Sequence, residues 1–228
     1  VLAAMAEFRQ SASSQAGQVS GTLRIGTIVD PEFIRLGRLL SRLGESYPGI
    51  TTELVHGISG DILEKLRRRQ IDAGFYLTEP GAIGGIAAED PLQVQVLARF
   101  NYRIIAPVGW ESRVAGAGWR ELAELPWIGT SAASVHNRLL SRIFREHGCT
   151  QNTVALVDHE ASMLEMVRAG VGLCLCRENI ALDQQHSYGL SLCETESVPA
   201  CLVMLSLEAR KSAPTVAALF EQMAVVWR

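Results

Sequence analysis

Three serines, three acids and a histidine hold most of the chemistry this chain can offer. Ser59, Ser131 and Ser134 each stand where a strand pattern gives way to a helix pattern. Their hydroxyls, with the unpaired N–H groups of a first helical turn, can hold an anionic group. Capping its own helix is the plainer role for each, because Ser is a preferred N-cap whether or not a ligand exists. Asp30, Asp158 and Glu160 bring carboxylates to the same kind of position, with His159 between the last two. Two acids at one mouth favour a ligand carrying an amine, whereas hydroxyls alone suit a carboxylate. N-capping is again the plainer role for Asp30. His159 reads as a loop histidine, since Asp158-His159-Glu160 lacks the i, i+4 spacing that sets two metal ligands on one helix face.

Catalytic signatures are missing from the sequence. It contains no GxSxG, HExxH or GxxxxGK[ST], and Gly81 to Gly85 does not form GxGxxG. His136 beside Ser134 is not a nucleophile and base by adjacency alone. No catalytic residue, metal or cofactor is assigned, and the chain is not read as an enzyme. Cys149, Cys174, Cys176, Cys193 and Cys201 form no CxxC and no zinc spacing, and an odd count in a chain of this size reads as reduced thiols in a cytoplasmic protein. Cys174 and Cys176 point to one face of a strand, and the flanking Leu173 and Leu175 favour burial over redox sensing. Arg67-Arg68-Arg69 lies at a helix C-terminus, where cations complement the dipole.

The elements that position these groups follow from periodicity. The 228 residues suffice for two lobes, each with its own core, and 48% of them are apolar. A net charge of -3 with both signs interspersed argues against a nucleic-acid surface on this stretch. No apolar run reaches membrane-spanning length; the longest, Ala200 to Leu207, reads as a buried strand. Val1 to Ala12 has helical spacing and reads as the end of a longer helix, followed by a linker to Ser20. The non-Met start points to something upstream, either a cleaved signal or a further domain.

Gly21 to Gly26 is a short strand that leads through Thr27 to Asp30 into a helix start at Asp30-Pro31-Glu32. That helix carries Phe33, Leu36, Leu39, Leu40, Leu43 and Tyr47 and ends at Pro48-Gly49. A strand from Thr52 to Val55, a helix from Ser59 or Asp61 to about Arg69 and a strand through Ala73 to Tyr76 follow. This order predicts parallel pairing. A glycine-containing loop after Thr78 leads to a strand from Leu92 that leaves the first lobe and enters the second through Arg99 to Asn101. The second lobe repeats the rhythm: a helix at 119–125, a strand at 126–130, a helix from Ser134 to His147, a strand at 153–157, a helix from Glu160 to Ala169 and a buried strand from Val171 to Cys176. A return strand near 194–207 and a helix from Pro214 to Trp227 close the first lobe.

This order resembles the effector-binding domain of LysR-type transcriptional regulators. The likeness rests on Gly21, Leu23, Ile25 and Gly26, on Tyr47-Pro48-Gly49-Ile50, on Gly57 and Ser59, on Ile71-Asp72-Ala73, and on Met166 to Gly172. It implies an α/β fold of two Rossmann-like lobes joined by two crossover strands, the periplasmic-binding-protein-like type 2 plan. Residues 1–20 would be linker helix and hinge, 21–98 with 200–228 lobe one, and 99–199 lobe two. Ligands of open α/β sheets bind outside the carboxyl ends of the strands. Counting strand ends gives a cleft lined by Thr27, Ile28, Val29 and Asp30, by Ile58, Ser59 and Gly60, by Tyr76 and Thr78, by Thr130, Ser131 and Ser134, and by Asp158, His159 and Glu160.

The resemblance implies a small-molecule effector there: an amino acid, an amine or an organic acid. It also implies a dimer or tetramer, with Leu36, Leu40 and Leu43 as candidate interface residues, DNA binding through a winged helix-turn-helix domain outside this sequence, contact with RNA polymerase in the full-length protein, and no membrane. A periplasmic-type solute-binding protein is the alternative on the same two-lobe plan, and an enzyme on that fold is a third.

Overall fold

The computed structural model describes residues 19–28, 30–89 and 91–228. The helical stretch Val1 to Ala12, most of the linker and the candidate ligand residue Val29 lie outside them.

Strand β1 (Ser20–Thr27) turns Leu23 and Ile25 into a core. It pairs in parallel with β2 (Gly49–His56) on one side and β3 (Ala73–Thr78) on the other, the pairing the sequence predicts. Helices α1 (Leu36–Ser46) and α2 (Ser59–Arg67) connect them. Gly26 permits the close fit of α2 on the sheet, since a Cβ there would meet side-chain carbons of Ile62 and Ile71 at 2.8 Å. The first helix begins later than expected. Residues 31–35 form turns, and Arg35 sits in the left-handed region (φ 49°) before α1 starts.

A 3-10 turn (Pro80–Ala82) and α3 (Ile83–Glu89) replace the expected glycine loop. Pro80 is pre-set for a first helical position, and Ile83 and Ile86 pack on the first core, offsetting the entropic cost of Gly84 and Gly85. The chain then enters β4 (Leu92–Ala106), one unbroken 15-residue strand that pairs antiparallel with the 17-residue β8 (Ser191–Leu207). Both exceed ordinary strand length because each serves two lobes in turn. Register shifts fall at Val96/Ala98 and Arg103/Ile105.

Lobe two holds α4 (Glu111–Val114), α5 (Trp119–Glu124), β5 (Trp127–Gly129), α6 (Val135–Glu146), β6 (Thr153–Leu156), α7 (Glu160–Arg168), β7 (Cys174–Arg177) and α8 (Glu178–Tyr188), the last unforeseen from sequence. Helix α9 (Pro214–Val226) returns to lobe one. The main sheet runs β2-β1-β3-β8-β4-β7, and β5 pairs with β6 in a second, parallel sheet.

Separate cores support the two lobes. The first gathers Leu39, Leu43, Ile62, Phe75, Leu202, Leu205 and Leu219. In lobe two, Trp127 centres a cluster with Tyr102, Leu139 and Phe144, its indole N–H donating to Leu122 O at 2.7 Å. A further cluster holds Ile105, Met163, Val167, Cys174 and Cys176. All five cysteines are free, and burial pushes the Cys174 and Cys176 thiols well up, as expected of packing residues. Of the candidate interface leucines, Leu43 is 1% exposed inside the first core and offers a partner no surface. Leu36 packs partly on that core, and Leu40 remains partly exposed.

Replacing Trp127 with Ala removes the centre of the lobe-two core and an internal hydrogen bond. Urea unfolding is expected to show a loss of about 3–5 kcal/mol, with faster hydrogen exchange in lobe two than in lobe one.

Candidate functional site

The carboxyl ends of β1, β5 and β7 and the first turns of α2, α6 and α7 meet between the lobes. Ile28, Asp30, Phe33, Ile58, Ser59 and Leu77 form one wall. The other consists of Tyr102, Thr130, Ser134, Val135, His136, Asp158, Glu160, Met163 and Arg177. The cavity between them is about 70 Å³, room for a few waters and far below the roughly 300–1,000 Å³ of metabolite pockets.

Arg177 spans this cavity. Its side chain is 6% exposed, and Nη2 donates both to Asp30 Oδ2 in lobe one and to Glu160 Oε2 (3.0 Å) in lobe two. The guanidinium also lies 4.4 Å above the centre of the Phe33 ring. Burial works against the cation, and the two carboxylates outweigh it, holding the Arg177 pKa above its usual value. Asp30 is fixed from behind, where Oδ1 accepts from the N–H groups of Glu32 (2.9 Å) and Phe33 (3.1 Å). Burial raises its pKa, but the Phe33 N–H, the Arg177 guanidinium and the Glu32 N–H together bring it below the ordinary value. The pair of acids that favoured an amine ligand is thus already neutralised in part by an arginine.

The serines take separate roles. Ser134 caps α6, accepting from the His136 N–H at 3.3 Å. Ser59 does not cap: its hydroxyl accepts from Leu77 N at 3.1 Å, and Ile58 is the N-cap residue. Ser131 donates its N–H to Asp158 Oδ1 (3.0 Å). The Ser131 hydroxyl, the buried Thr130 hydroxyl and His136 Nδ1 have no hydrogen-bond partner among the described residues. Ser131, Gly60, Tyr76, Thr78, Thr27 and His159 are not among the residues lining the cavity. Strand alternation turns Leu77 into it and puts Tyr76 and Thr78 in a second cavity of about 280 Å³. Thr27 reaches His56 Nδ1 at 3.5 Å, and exposed His159 reaches Ser162 Oγ at 3.1 Å.

Gly60 works as a contact between lobes. Its N–H donates to Ala133 O at 3.0 Å, and a Cβ would stand 2.7 Å from that oxygen. Arg138 Nη2 donates to Leu77 O at 3.0 Å and Arg142 pairs with Glu79, and these join the Gly60 and Asp30 contacts in holding the lobes together around the cavity.

Strand-end counting missed Arg177, Phe33, Leu77, Tyr102, Val135, His136 and Met163. Arg177 was within reach: it is the first residue past the apolar run 171–176 and the last of β7, a strand-end position beside that of Thr130, which directly follows β5.

Residues 16–227 match the family model described as the LysR substrate binding domain. The chain is 25% identical over 230 aligned positions to the uncharacterized HTH-type transcriptional regulator YvbU of Bacillus subtilis, covering 98% of this chain and 73% of that protein. It is 22% identical over 195 to the RuBisCO operon transcriptional regulator of Acidithiobacillus ferrooxidans, covering 84% and 60%. The effector binding domain of QuiR in complex with shikimate superposes with a TM-score of 0.70 at 13% identity, covering 92% of this chain and 98% of that one. The Synechocystis PCC6803 CcmR regulatory domain in complex with 2-PG gives 0.72 at 18%, covering 91% and 98%. At these identities the solved structures establish the two-lobe fold.

Two outcomes follow from the geometry. Gly60→Ala is expected to push the lobes apart, seen as an increased radius of gyration in X-ray scattering with little change in either core. Burial, and then the Arg177 charge, push the His136 pKa down to about 4, whereas an unfolded histidine titrates near 6.5. The unfolded chain therefore binds a proton first, so stability is full above about pH 6.5 and falls as the pH drops toward 4. With His136 partly exposed as a residue, the expected loss is about 2 kcal/mol. His136→Asn should flatten that limb in urea titrations at pH 7, 5.5 and 4.

Proposed function

Because the chain belongs to the LysR substrate binding domain family, we propose that it is the effector-sensing half of a transcriptional regulator. A small molecule held between the two walls changes the angle between the lobes, and that change passes to a DNA-binding domain of the full-length protein. The observation that carries this reading is the cavity where three strand ends and three helix starts from both lobes converge, crossed by the Asp30–Arg177–Glu160 ion pairs. The long β4 and β8 give the motion a hinge, since among the described strands they carry the sheet from one lobe to the other.

In this proposal residues 21–98 with 200–228 form lobe one and 99–199 lobe two. The site comprises Ile28, Asp30, Ile58, Ser59, Thr130, Ser134, Asp158 and Glu160 of the strand-end set, joined by Arg177, Tyr102 and His136. Self-association through the exposed side of α1, with Leu40 as a contact, belongs to the same reading, as do a cytoplasmic location and contact with RNA polymerase. No turnover of the ligand is part of it. A transport-type binding protein is the less favoured role, given the family match and the regulator names of the relatives.

A thermal-shift screen of amino acids, amines and organic acids, paired with X-ray scattering, tests the proposal. A hit should raise the melting temperature and alter the radius of gyration together; stabilisation by no compound would count against the cleft. Thr130→Val separates ligand contact from folding. Because that hydroxyl has no partner among the described residues, its removal should leave stability unchanged or raise it by up to about 1 kcal/mol, while weakening binding of any hit.

A further inference from the structure

We propose that Asp30 is an internal stand-in for the ligand: a carboxylate ligand docks on Arg177 by taking the place of the Asp30 carboxylate, and loss of that bridge lets the lobes part. This inference rests on the cleft being the effector site, and it names the class of molecule that the cleft selects.

The cavity of about 70 Å³ is too small for a metabolite, so binding must move something, and the group across its centre is the Asp30–Arg177–Glu160 bridge. Two kinds of competitor could open it. A cationic ligand would take Asp30 and Glu160 and leave the Arg177 guanidinium, 6% exposed, without its carboxylates. An unpaired buried charge is among the most destabilising features a fold can carry. An anionic ligand displaces only Asp30, whose side chain is 30% exposed and keeps the Glu32 and Phe33 N–H groups as donors. Glu160 stays on Arg177, since both belong to lobe two and need not move apart. The second exchange leaves no buried group unpaired.

The remaining lining agrees with this choice. The Thr130 hydroxyl, buried and unpartnered among the described residues, stands on the Arg177 wall as a further donor for an anion. The first turns of α6 and α7 open on the same cavity and favour negative charge there. Ile28, Phe33, Leu77, Val135 and Met163 make much of the remaining surface apolar, and the further acid there, Asp158, already accepts from the Ser131 N–H. The ligand class is therefore a monocarboxylate with a compact apolar body.

Isothermal titration of the wild-type chain, Asp30→Asn and Arg177→Lys with skeleton-matched probes tests the idea: phenylacetate against phenethylamine, and isobutyrate against isobutylamine. Asparagine retains the acceptor for the two backbone N–H groups, so Asp30→Asn should fold. It should bind the carboxylates roughly tenfold more tightly than wild type, an internal competitor having been weakened, and gain nothing for the amines. Arg177→Lys should lose carboxylate affinity. Without ligand, Asp30→Asn should already exchange amide hydrogens faster at 30–36 and 130–136. Tighter amine than carboxylate binding by wild type, with a loss in Asp30→Asn, would make Asp30 a direct ligand contact and overturn the proposal. Carboxylate affinity unchanged in Asp30→Asn, yet reduced in Thr130→Val, would keep the cleft as the site and sink the displacement. If no probe bound any variant, both readings would fall.

Discussion

A guanidinium taken out of water must find carboxylates, and in this fold it finds one in each lobe. Arg177 at the end of β7 is satisfied by Glu160 from its own lobe and Asp30 from the other. Removing one partner of such a pair typically costs about 3–5 kcal/mol, so the requirement constrains how far apart the two walls can sit. Asp30 can meet it only because the turns after β1 present Glu32 and Phe33 N–H groups to its other oxygen. The left-handed Arg35 that follows, anchored by a 2.7 Å bond to Val226 O, lets those turns precede α1.

The other contacts between lobes depend on the same spacing. Gly60 and Ala133 approach at backbone distance, which only a residue without a side chain allows. Arg138 reaches a carbonyl at the end of β3, and Arg142 reaches Glu79 just beyond it. These are short polar contacts over a thin interface, whereas each lobe has its own apolar core. Polar contacts that exchange with water or ligand at small net cost suit the lobe opening proposed above. Each lobe keeps its own buried core apart from that junction.

Much of the scaffold was legible in the sequence because it repeats simple periods. The short apolar run of β1 and the i, i+3, i+4 stripe in α1 each turn residues into the first core, and strand-helix-strand order dictates parallel pairing for β1, β2 and β3. Strand-end counting placed Ile28, Asp30, Ser59, Thr130, Ser134 and Glu160 on the cleft. It misassigned Tyr76 and Thr78 because a one-residue choice on a strand changes the face, and Leu77 took the inward position. The loop expected around Gly84 became a helix because its isoleucines found a core, a gain invisible to local propensity.

By itself the sequence determined the two-lobe order, the mouths at which polar groups collect and the lack of a catalytic signature. These are local or periodic properties, readable from neighbours along the chain. Only the tertiary structure decided the charge of the site, because the distance between Asp30 and Arg177 spans 147 positions in sequence and a single hydrogen bond in space. Two acids that look like a cation trap on paper are, once folded, the partners of a buried cation. Which groups neutralise one another is a property of proximity, and proximity between lobes is fixed by packing, not by order along the chain.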